Sequence, residues 1–479
     1  MPAIYLLLNL FAGLFLFLSY KSGIDYPAIW PDEVLFFSPA FDLHRTGTFS
    51  TSVLSGLIPG MEHSTLWMPP VYMISLAAIF KVFPDTIETA RMFSSFIGLG
   101  TVFIFYRITL ALNLSNLAKI LGVVLLFTDL VFFKISHSAR MESICLLFGL
   151  TSILFTLEKR NSFGIGFLLG LSFLSHPFGI VYSIPIASIL FFEKRFTWKE
   201  IIYSGFGFLI PILIWGIYVF PRLELFQIQF GAQLGRKKDL LGKFSYLTKF
   251  KIILSTFKYP LFKFTVVLLG VVAFLFTIKN WEKKSIWILV YLGTIFVFLI
   301  LSSEMWYVFH LVPALVLFSI QLLEYKTKLS KFFIFASLNY NLSVLGILIF
   351  SIFFSNKIIN TTFEFYTKLD EMIEDRDGIY LQAIPDPFFY LKEKYPSRRI
   401  LEFVPGELPL PKEKIQETAK QLSVFVFYNE ELMNETIRNF LKEHSNEFER
   451  KELILPKPRF SEIEYTAVVY LRKKIIPIQ

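Results

Sequence analysis

The sequence predicts a polytopic α-helical membrane protein with about eleven transmembrane helices, followed by a C-terminal α/β domain outside the membrane. Hydrophobic residues make up 54% of the 479 positions and charged residues only 18%, and the mean hydropathy is +0.57. Apolar runs recur over residues 1–355, and the charge density rises over residues 356–479. This composition excludes the soluble globular classes for the first part of the chain.

The predicted spans are the apolar runs between polar loops. The short runs that meet at His176-Pro177 are interpreted as two helices, because proline fits a tight turn better than a helix interior. The apolar start resembles a signal peptide, but it lacks a basic n-region and a small-residue cleavage site, so it is interpreted as a retained first helix. The spans cover residues 4–20, 91–111, 117–135, 139–157, 162–175, 177–192, 201–220, 261–278, 286–301, 307–323 and 333–354.

The distribution of Lys and Arg predicts the orientation. The formal net charge is +9, but in a membrane chain the position of the cations matters more than their number, and no nucleic-acid partner is expected. With a cytoplasmic N-terminus, four short basic loops fall inside, whereas the opposing turns at 133–138, 175–178 and 302–305 contain Lys134 as their one cation. This asymmetry predicts a multi-pass protein of the inner (plasma) membrane. The basic loops carry Lys159 and Arg160; Lys194, Arg195 and Lys199; Lys279, Lys283 and Lys284; and Lys326, Lys328 and Lys331.

One segment conflicts with this orientation. Residues 221–260 are expected outside, yet they carry eight Lys or Arg residues against two acids. A basic outer loop can bind anionic lipid phosphates, and Arg236 and Lys237 are then candidate substrate contacts. A merely solvated face is an equally good interpretation.

Two further regions are expected on the outer side. The first is the outer loop of residues 21–70, after which the run at 71–83 is too short to span and predicts an interfacial helix. The second is the tail of residues 356–479, where β-type runs alternate with helical runs, as in a small sheet covered by helices. The tail has no phosphate loop, catalytic triad or metal-ligand spacing, and the single Cys145 excludes an intrachain disulfide. The expected strands are 378–383, 399–404, 423–428, 451–455 and 465–471, with helices at 387–394, 412–422 and 430–444.

Candidate catalytic residues lie in the predicted outer loops. Asp32 and Glu33 follow the first helix, where adjacent carboxylates suit a general base or a metal ligand, although a solvated pair is the alternative. Arg140 and Glu142 lie at the outer mouth of the fourth helix, where ionisable residues are costly unless they are paired or functional. The planar fork of Arg140 suits phosphate, although a local ion pair with Glu142 is also open.

Histidines and aromatic residues complete the set of candidates. His137, His176, Trp306 and Tyr307 map to the same outer face as candidate substrate contacts, although a lone histidine is more often structural than a ligand. The predicted topology brings acidic and basic residues to one side of the membrane from four separate loops, which a random scatter would not readily give. These residues are Asp32, Glu33, Arg140, Glu142, His176 and Glu304.

Five motifs occur in a fixed order between residues 31 and 313, and in that order they resemble one family. They are Pro31-Asp32-Glu33, Trp67-Met68-Pro69-Pro70-Val71-Tyr72, Ala90-Arg91-Met92-Phe93-Ser94-Ser95, Ala139-Arg140-Met141-Glu142, and Trp306-Tyr307 followed by Pro313. The order resembles that of the GT-C glycosyltransferases, in particular the group of dolichyl-phosphate-mannose protein mannosyltransferases and aminoarabinose lipid A transferases. The resemblance does not extend to the tail.

The resemblance implies roles for individual residues. Asp32 would be the catalytic base, and Glu142 would be the second outer acid of the family, with Arg140 beside it. Several relatives carry Lys directly before the Pro-Pro-like turn, where it is thought to contact the donor phosphate, and this sequence has Met68 there. Arg140, the basic run 236–238 or a divalent cation would then take that role. The candidate ligands of such a cation are Asp32, Glu33, Glu142 and His63.

The resemblance also implies a reaction. A polyprenyl-phosphate sugar would enter from the outer leaflet, and Asp32 would deprotonate a hydroxyl of an extracytoplasmic glycan, lipid or protein acceptor. The hydroxyl would attack the anomeric carbon and expel the lipid phosphate, with Arg140 stabilising the departing group. Membrane lipids are further expected partners.

Two other classes of function compete with a transferase. A lipid or glycan transporter would have a similar number of helices, but the sequence has no internal repeat and no pair of broken helices with charges at mid-bilayer depth. Asp129 is the one acid well inside a predicted span. A membrane-anchored binding protein, in which the tail binds the ligand, is the third possibility.

Overall fold

The computed structural model describes residues 2–243, 245–282, 285–302, 304–354, 356–403, 412–456 and 464–473, with backbone alone over 2–7, 236–243, 351–354 and 356–360. A bundle of helices comes first and a five-stranded sheet with its own helices follows. The predicted order of a helical membrane part and a small C-terminal α/β part is therefore confirmed.

The helical part consists of apolar helices of very different lengths. Over the described residues, five are long and apolar enough to cross a membrane: Ile87–Ala111, Trp198–Gly235, Pro260–Asn280, Met305–Glu324 and Lys328–Phe350. Other apolar helices have 10–17 residues, so the expected count of eleven full spans is not confirmed. The helices are α1 Pro2–Ser22, α2 Pro31–Thr46, α3 Val71–Phe80, α4 Ile87–Ala111, α5 Asn116–Thr128, α6 Leu130–Ser136, α7 Glu142–Leu157, α8 Ser162–Ser175, α9 Ser183–Phe192, α10 Trp198–Val219, α11 Leu223–Lys243, α12 Tyr246–Ser255, α13 Pro260–Thr277, α14 Ile286–Ser302, α15 Val308–Glu324 and α16 Lys328–Phe354.

Two breaks in the helical part have clear local causes. Helix α8 ends at Ser175, and a 3-10 turn opened by Pro177 leads into α9, which confirms the predicted turn at His176-Pro177. The predicted span 117–135 is instead two helices, α5 and α6. Asp129 separates them, because its carboxylate accepts a hydrogen bond from Phe132 N and caps the start of α6.

The outer loop of residues 21–70 contains a helix that the sequence analysis did not identify. Helix α2 begins with Pro31 at its first position and carries Asp32 and Glu33 in its first turn, a start that fixed φ and the helix dipole both favour. It ends at Gly47, whose φ of +74° closes the helix in the left-handed conformation. Helix α3 follows at 71–80, and its ten residues agree with the prediction of a run too short to span.

The described residues of the segment 221–260 lie mostly in helices. Helix α10 continues through a 3-10 turn at Pro221 into α11, and α12 follows. The side chains of Arg236 and Lys237 lie outside the described residues, so their predicted substrate contacts are untested.

The C-terminal part is a five-stranded sheet in the order β2-β1-β3-β5-β4. Strands β1, β2 and β3 are parallel, and β5 pairs antiparallel with β3 and β4. All five predicted strands are present within a few residues of their expected limits. The elements are α17 Asn356–Ile373, β1 Ile379–Gln382, α18 Phe388–Lys394, β2 Ile400–Glu402, α19 Lys412–Lys420, β3 Val424–Phe427, α20 Glu435–Glu443, β4 Phe448–Leu455 and β5 Tyr465–Arg472.

The sheet contacts the outer loop of the helical part directly. Asp386 N donates to Ile29 O at 2.9 Å, and Thr418 Oγ1 donates to Gly56 O at 2.7 Å. Asp386 lies in the turn after β1, so the carboxyl ends of the parallel strands face the residues that precede α2.

Helices α8 and α10 cross at backbone contact because glycines occupy their interface. A Cβ on Gly166 would lie 1.8 Å from Ser204 O, and one on Gly207 would lie 2.0 Å from Phe163 O. Small residues at such crossings let apolar helices pack closely where no aqueous phase drives them together.

Gly207→Ala is expected to force the two helices apart. Overpacking of this kind costs on the order of 1–3 kcal/mol, and thermal unfolding of the purified protein in detergent measures it. Gly205→Ala is the matched control, since nothing lies within 4 Å of its Cβ position on the same helix. Equal unfolding temperatures for the two variants would contradict the proposed close crossing.

Candidate active site

The candidate residues surround a small, half-open cavity of about 80 Å³ on the side of the helical part that carries the sheet. Its wall combines α2, the loop before α3, the residues before α7, the turn before α15 and one residue of the C-terminal part. The lining residues are Asp32, Leu35, Phe36, Leu54, Ile58, Trp67, Met68, Arg140, Met141, Glu142, His176, Gln233, Glu304, Trp306, Tyr307 and Phe403.

Glu33 does not line the cavity. Its side chain is 1% exposed and forms a two-bond ion pair with the equally buried Arg91. Arg91 Nε donates to Glu33 Oε2 at 2.9 Å, and Arg91 Nη2 donates to Glu33 Oε1 at 2.6 Å. Oε2 also accepts from Ala139 N at 2.8 Å, and Oε1 accepts from Trp30 N at 3.3 Å. Arg91 Nη1 donates to the carbonyl oxygens of Gly23 and Pro27, each at 2.9 Å. The Glu33–Arg91 pair therefore joins four segments of the chain inside the protein.

Asp32 is placed differently from its neighbour. Its side chain is 32% exposed and lines the cavity, and Oδ2 accepts from Arg140 Nη1 at 2.6 Å. Successive residues of a helix are about 100° apart around its axis, so with Glu33 directed into the protein, Asp32 can face the cavity. Of the two adjacent acids, Asp32 is the one that a substrate can reach.

Arg140 connects the two acids of the cavity. Its Nε and Nη2 donate to Glu142 at 3.2 and 2.7 Å, while Nη1 donates to Asp32. The guanidinium lies over the ring of Trp306 at 4.1 Å and near Phe36 at 5.6 Å. These bonds use three of the five N–H groups of the guanidinium, so two further donors exist for a ligand in the cavity.

His176 and Tyr307 form a second polar pair on the wall. His176 Nδ1 accepts from Phe178 N at 3.0 Å, so the proton of the neutral ring lies on Nε2, which is 3.3 Å from the Tyr307 hydroxyl. Trp306 packs edge-on against Trp30 at 5.2 Å. The predicted contacts His176, Trp306 and Tyr307 therefore share the cavity with Asp32.

Besides Glu33, three predicted site residues do not line the cavity or have side chains outside the described residues. His137 is buried away from it, between Ser22 Oγ at 2.9 Å and Ser95 Oγ at 3.3 Å. Arg236 and Lys237 fall in the part of α11 without described side chains. Exposed His63 is also absent from the cavity wall. Within the described ranges, no group of three or more His, Cys, Asp or Glu residues could hold a metal ion.

Helix α11 contributes residues that sequence reasoning missed. Gln229 Oε1 accepts from Leu66 N at 2.8 Å, and its Nε2 donates to the carbonyls of Pro59 and Ser64 at 2.9 and 3.0 Å. Gln233, one turn later, lines the cavity. The signal available in the sequence was the spacing of Gln229 and Gln233, which are four residues apart and therefore lie on one face of a helix whose next residues are basic.

A larger groove of about 1110 Å³ lies on the other face of α2, between that helix and the C-terminal part. Aromatic and aliphatic side chains such as Phe37, Phe41 and Tyr366 line it, with charged residues around them. It shares no lining residue with the smaller cavity. The candidate catalytic residues are therefore all outside this groove.

The contacts of the two adjacent acids predict a large loss of stability when Glu33 is neutralised and a small one when Asp32 is neutralised. Glu33→Gln leaves a buried guanidinium without its counter-charge, and breaking a buried pair costs about 3–5 kcal/mol. Asp32→Asn is expected to cost on the order of 1 kcal/mol or less, since Asp32 is partly exposed and Arg140 keeps Glu142. Thermal unfolding of both variants tests this, and equal destabilisation would contradict the assignment.

The overall fold has a known counterpart, in agreement with the resemblance that the order of the motifs gave. No family model matches the chain, and no curated protein matches it. A crystal structure of ArnT from Cupriavidus metallidurans bound to undecaprenyl phosphate superimposes with a TM-score of 0.60 at 10% identity, over 96% of this chain and 97% of that one. The chain therefore has the fold of the GT-C glycosyltransferases.

Proposed function

We propose that the protein is a membrane glycosyltransferase that moves a hexosyl or pentosyl group from a polyprenyl-phosphate donor to an extracytoplasmic acceptor. The observation that carries the proposal is the arrangement of Asp32, a solvent-accessible carboxylate that shares the Arg140 guanidinium with Glu142 in a half-open cavity. The crystal structure of similar fold contains undecaprenyl phosphate, and this supports a lipid-phosphate donor.

Asp32 is the proposed general base. Its free edge faces a cavity in which an acceptor hydroxyl can approach. The carboxylate takes the hydroxyl proton as the oxygen forms a bond to the anomeric carbon of the sugar, and the bond from that carbon to the phosphate oxygen breaks. Attack from the face opposite the phosphate inverts the anomeric configuration. Glu142 fixes the position of the Arg140 guanidinium relative to Asp32 through the two hydrogen bonds that it accepts from Arg140.

Arg140 is the proposed partner of the departing phosphate. Its two remaining N–H groups can bind phosphate oxygens while Asp32 and Glu142 hold the rest of the guanidinium, and stacking on Trp306 fixes its plane. Such preorganised donors stabilise developing negative charge without rearranging during the reaction. Tyr307, whose hydroxyl meets His176 Nε2 on the same wall, supplies a further donor to the sugar or the phosphate.

The charge of the cavity indicates a further cation for the donor. Three described carboxylates line it, those of Asp32, Glu142 and Glu304, against the single described guanidinium. Arg236 and Lys237 follow Gln233 by three and four positions in α11, the spacing of one helix face. We propose that they, or a divalent cation held jointly with the phosphate, compensate the charge of the donor.

The two parts of the chain take separate tasks in this proposal. Residues 1–355 form the membrane transferase domain, and residues 356–479 form an extracytoplasmic domain that covers the cavity through Phe403. The cavity opens on the side that the distribution of Lys and Arg assigns to the outside of the inner (plasma) membrane. Membrane lipids surround the apolar helices, and a glycan, a lipid or a protein supplies the acceptor hydroxyl.

Asp32→Asn is expected to lower turnover by about 10²–10⁴-fold while the protein stays folded, because the amide cannot accept the hydroxyl proton. The measurement is release of polyprenyl phosphate from a panel of radiolabelled polyprenyl-phosphate sugars by purified protein in lipid. Glu62→Gln is the matched control, an exposed acid of the same outer loop that does not line the cavity. Near-normal turnover of Asp32→Asn would show that the base is wrong, and no release by the wild type would favour a transporter.

Replacing both Arg236 and Lys237 with Ala is expected to raise the KM for the donor about tenfold, equivalent to about 1.4 kcal/mol, with a small change in kcat. The reason is that a charge outside the reacting atoms contributes equally to bound substrate and transition state. Lys251→Ala in α12 is the control for a general loss of positive charge. An unchanged KM would remove these two residues from the donor site.

A further inference from the structure

Two carboxyl groups lie within hydrogen-bonding reach of each other at the carboxyl ends of two paired strands. Glu402 ends β2, and Asp386 lies in the turn after β1, which pairs with β2 in parallel. Neither side chain has measurable exposure. Buried acids of this kind are rare in proteins unless something compensates their charge.

One of the four carboxyl oxygens of the pair has a donor, and over the described part of the chain side-chain donors to the other three are missing. Asp386 Oδ1 accepts from Phe388 N at 2.8 Å. Among the residues that the structure describes, no side chain in hydrogen-bonding geometry donates to Asp386 Oδ2 or to either oxygen of Glu402. Ionised carboxylates only accept hydrogen bonds, whereas a protonated carboxyl also donates one. A single proton between the two groups gives the missing donor and removes one of two adjacent negative charges.

The charged and titratable groups around the pair also favour a proton there. Helix α2 brings the carboxylates of Asp32 and Glu33 towards it, and α17 brings the Tyr366 hydroxyl. Tyr428, after β3, lies near Asp32. The arginines that pair with Asp32 and Glu33 already have these partners, since Arg91 binds Glu33 and Arg140 binds Asp32 and Glu142.

The pair is connected to the catalytic segment at both of its members. Asp386 N donates to Ile29 O, three residues before Asp32. Phe403, which follows Glu402, lines the cavity beside Asp32 and Arg140. A displacement of either carboxyl group is therefore transmitted to the start of α2 or to the cavity wall.

We propose that Asp386 and Glu402 share one proton and act as a positioning pair, which seats the C-terminal part on the segment 29–32 as long as the proton is present. The effect on sugar transfer rests on the function proposed above. The shared proton itself is independent of that function. When the proton leaves, the two adjacent negative charges repel each other and the nearby Asp32 and Glu33. The contact between the C-terminal part and the segment 29–32 then weakens, and Asp32 is held less rigidly.

The direction of the pH dependence follows from burial. Burial raises the pKa of Asp386 to about 7, and burial together with the adjacent Asp386 raises the pKa of Glu402 well above its ordinary value. Because the folded state holds the proton more tightly than the unfolded chain, the pair favours folding at acidic pH. That contribution is lost as the pH rises through the raised pKa values.

The first experiment compares pH profiles of kcat for the wild type, Asp386→Asn and Glu402→Gln. The wild type is expected to lose activity above neutral pH by about tenfold per pH unit, the dependence of one ionising proton. Each amide variant supplies a permanent N–H donor, so its alkaline limb is expected to move to higher pH or disappear. Glu443→Gln, an exposed acid of α20 in the same C-terminal part, should keep the wild-type profile. Variants that lose the same activity at every pH, with an unmoved limb, would overturn the positioning role.

Two measurements test the shared proton without any transfer assay. The infrared difference spectrum of wild type minus Glu402→Gln, at about pH 6, is expected to contain the C=O band of a protonated carboxyl. As the pH rises from the ordinary carboxyl range through about 7, the unfolding temperature of the wild type should fall more steeply than that of Asp386→Asn. Absence of the band, or parallel unfolding curves, would overturn the proposal. If the wild type shows no transfer, the proposed function fails, and these two measurements alone decide on the pair.

Discussion

The buried ion pair between Glu33 and Arg91 is the constraint on which the geometry of the cavity depends. It joins the start of α2 to α4, to the carbonyls of residues 23 and 27 and to the amide of Ala139. Removing two charges from water is expensive, and the cost is offset here because nearly every donor and acceptor has a partner. The pair thereby fixes the rotation of α2, which leaves Asp32 on the open side.

Arg140 forms the second ion-pair system, and it differs from the first in being incomplete. Glu33 and Arg91 hydrogen-bond to each other inside the protein. Arg140 instead binds two carboxylates and stacks on Trp306 in the cavity wall, and these bonds leave two of its N–H groups unused. A closed pair stabilises a fold, and an open one can bind a ligand. The two acids are adjacent in sequence but differ in role: Glu33 holds the fold together, and Asp32 is available for chemistry in the cavity.

Local sequence patterns predicted much of this structure, but not the contacts between distant segments. The alternation of apolar residues predicted all five strands, and the order of short motifs led to Asp32, Arg140 and Glu142. The prediction did not find α2, and it did not separate Glu33 from Asp32, since the partner of Glu33 is 58 residues away. Gln229 was missed for the same reason: it binds a loop about 165 residues away, and no local pattern encodes such a pairing.

The position of the C-terminal part weighs against a function that belongs to the tail alone. Phe403 forms part of the cavity wall, and the turn with Asp386 is bonded to Ile29. An isolated tail would expose the strand ends that now lie against the outer loop, together with the buried carboxyls Asp386 and Glu402. Water would then solvate both acids, and at neutral pH they would ionise separately. Their shared proton is therefore a property of the assembled chain, and so is the wall that Phe403 gives to the cavity.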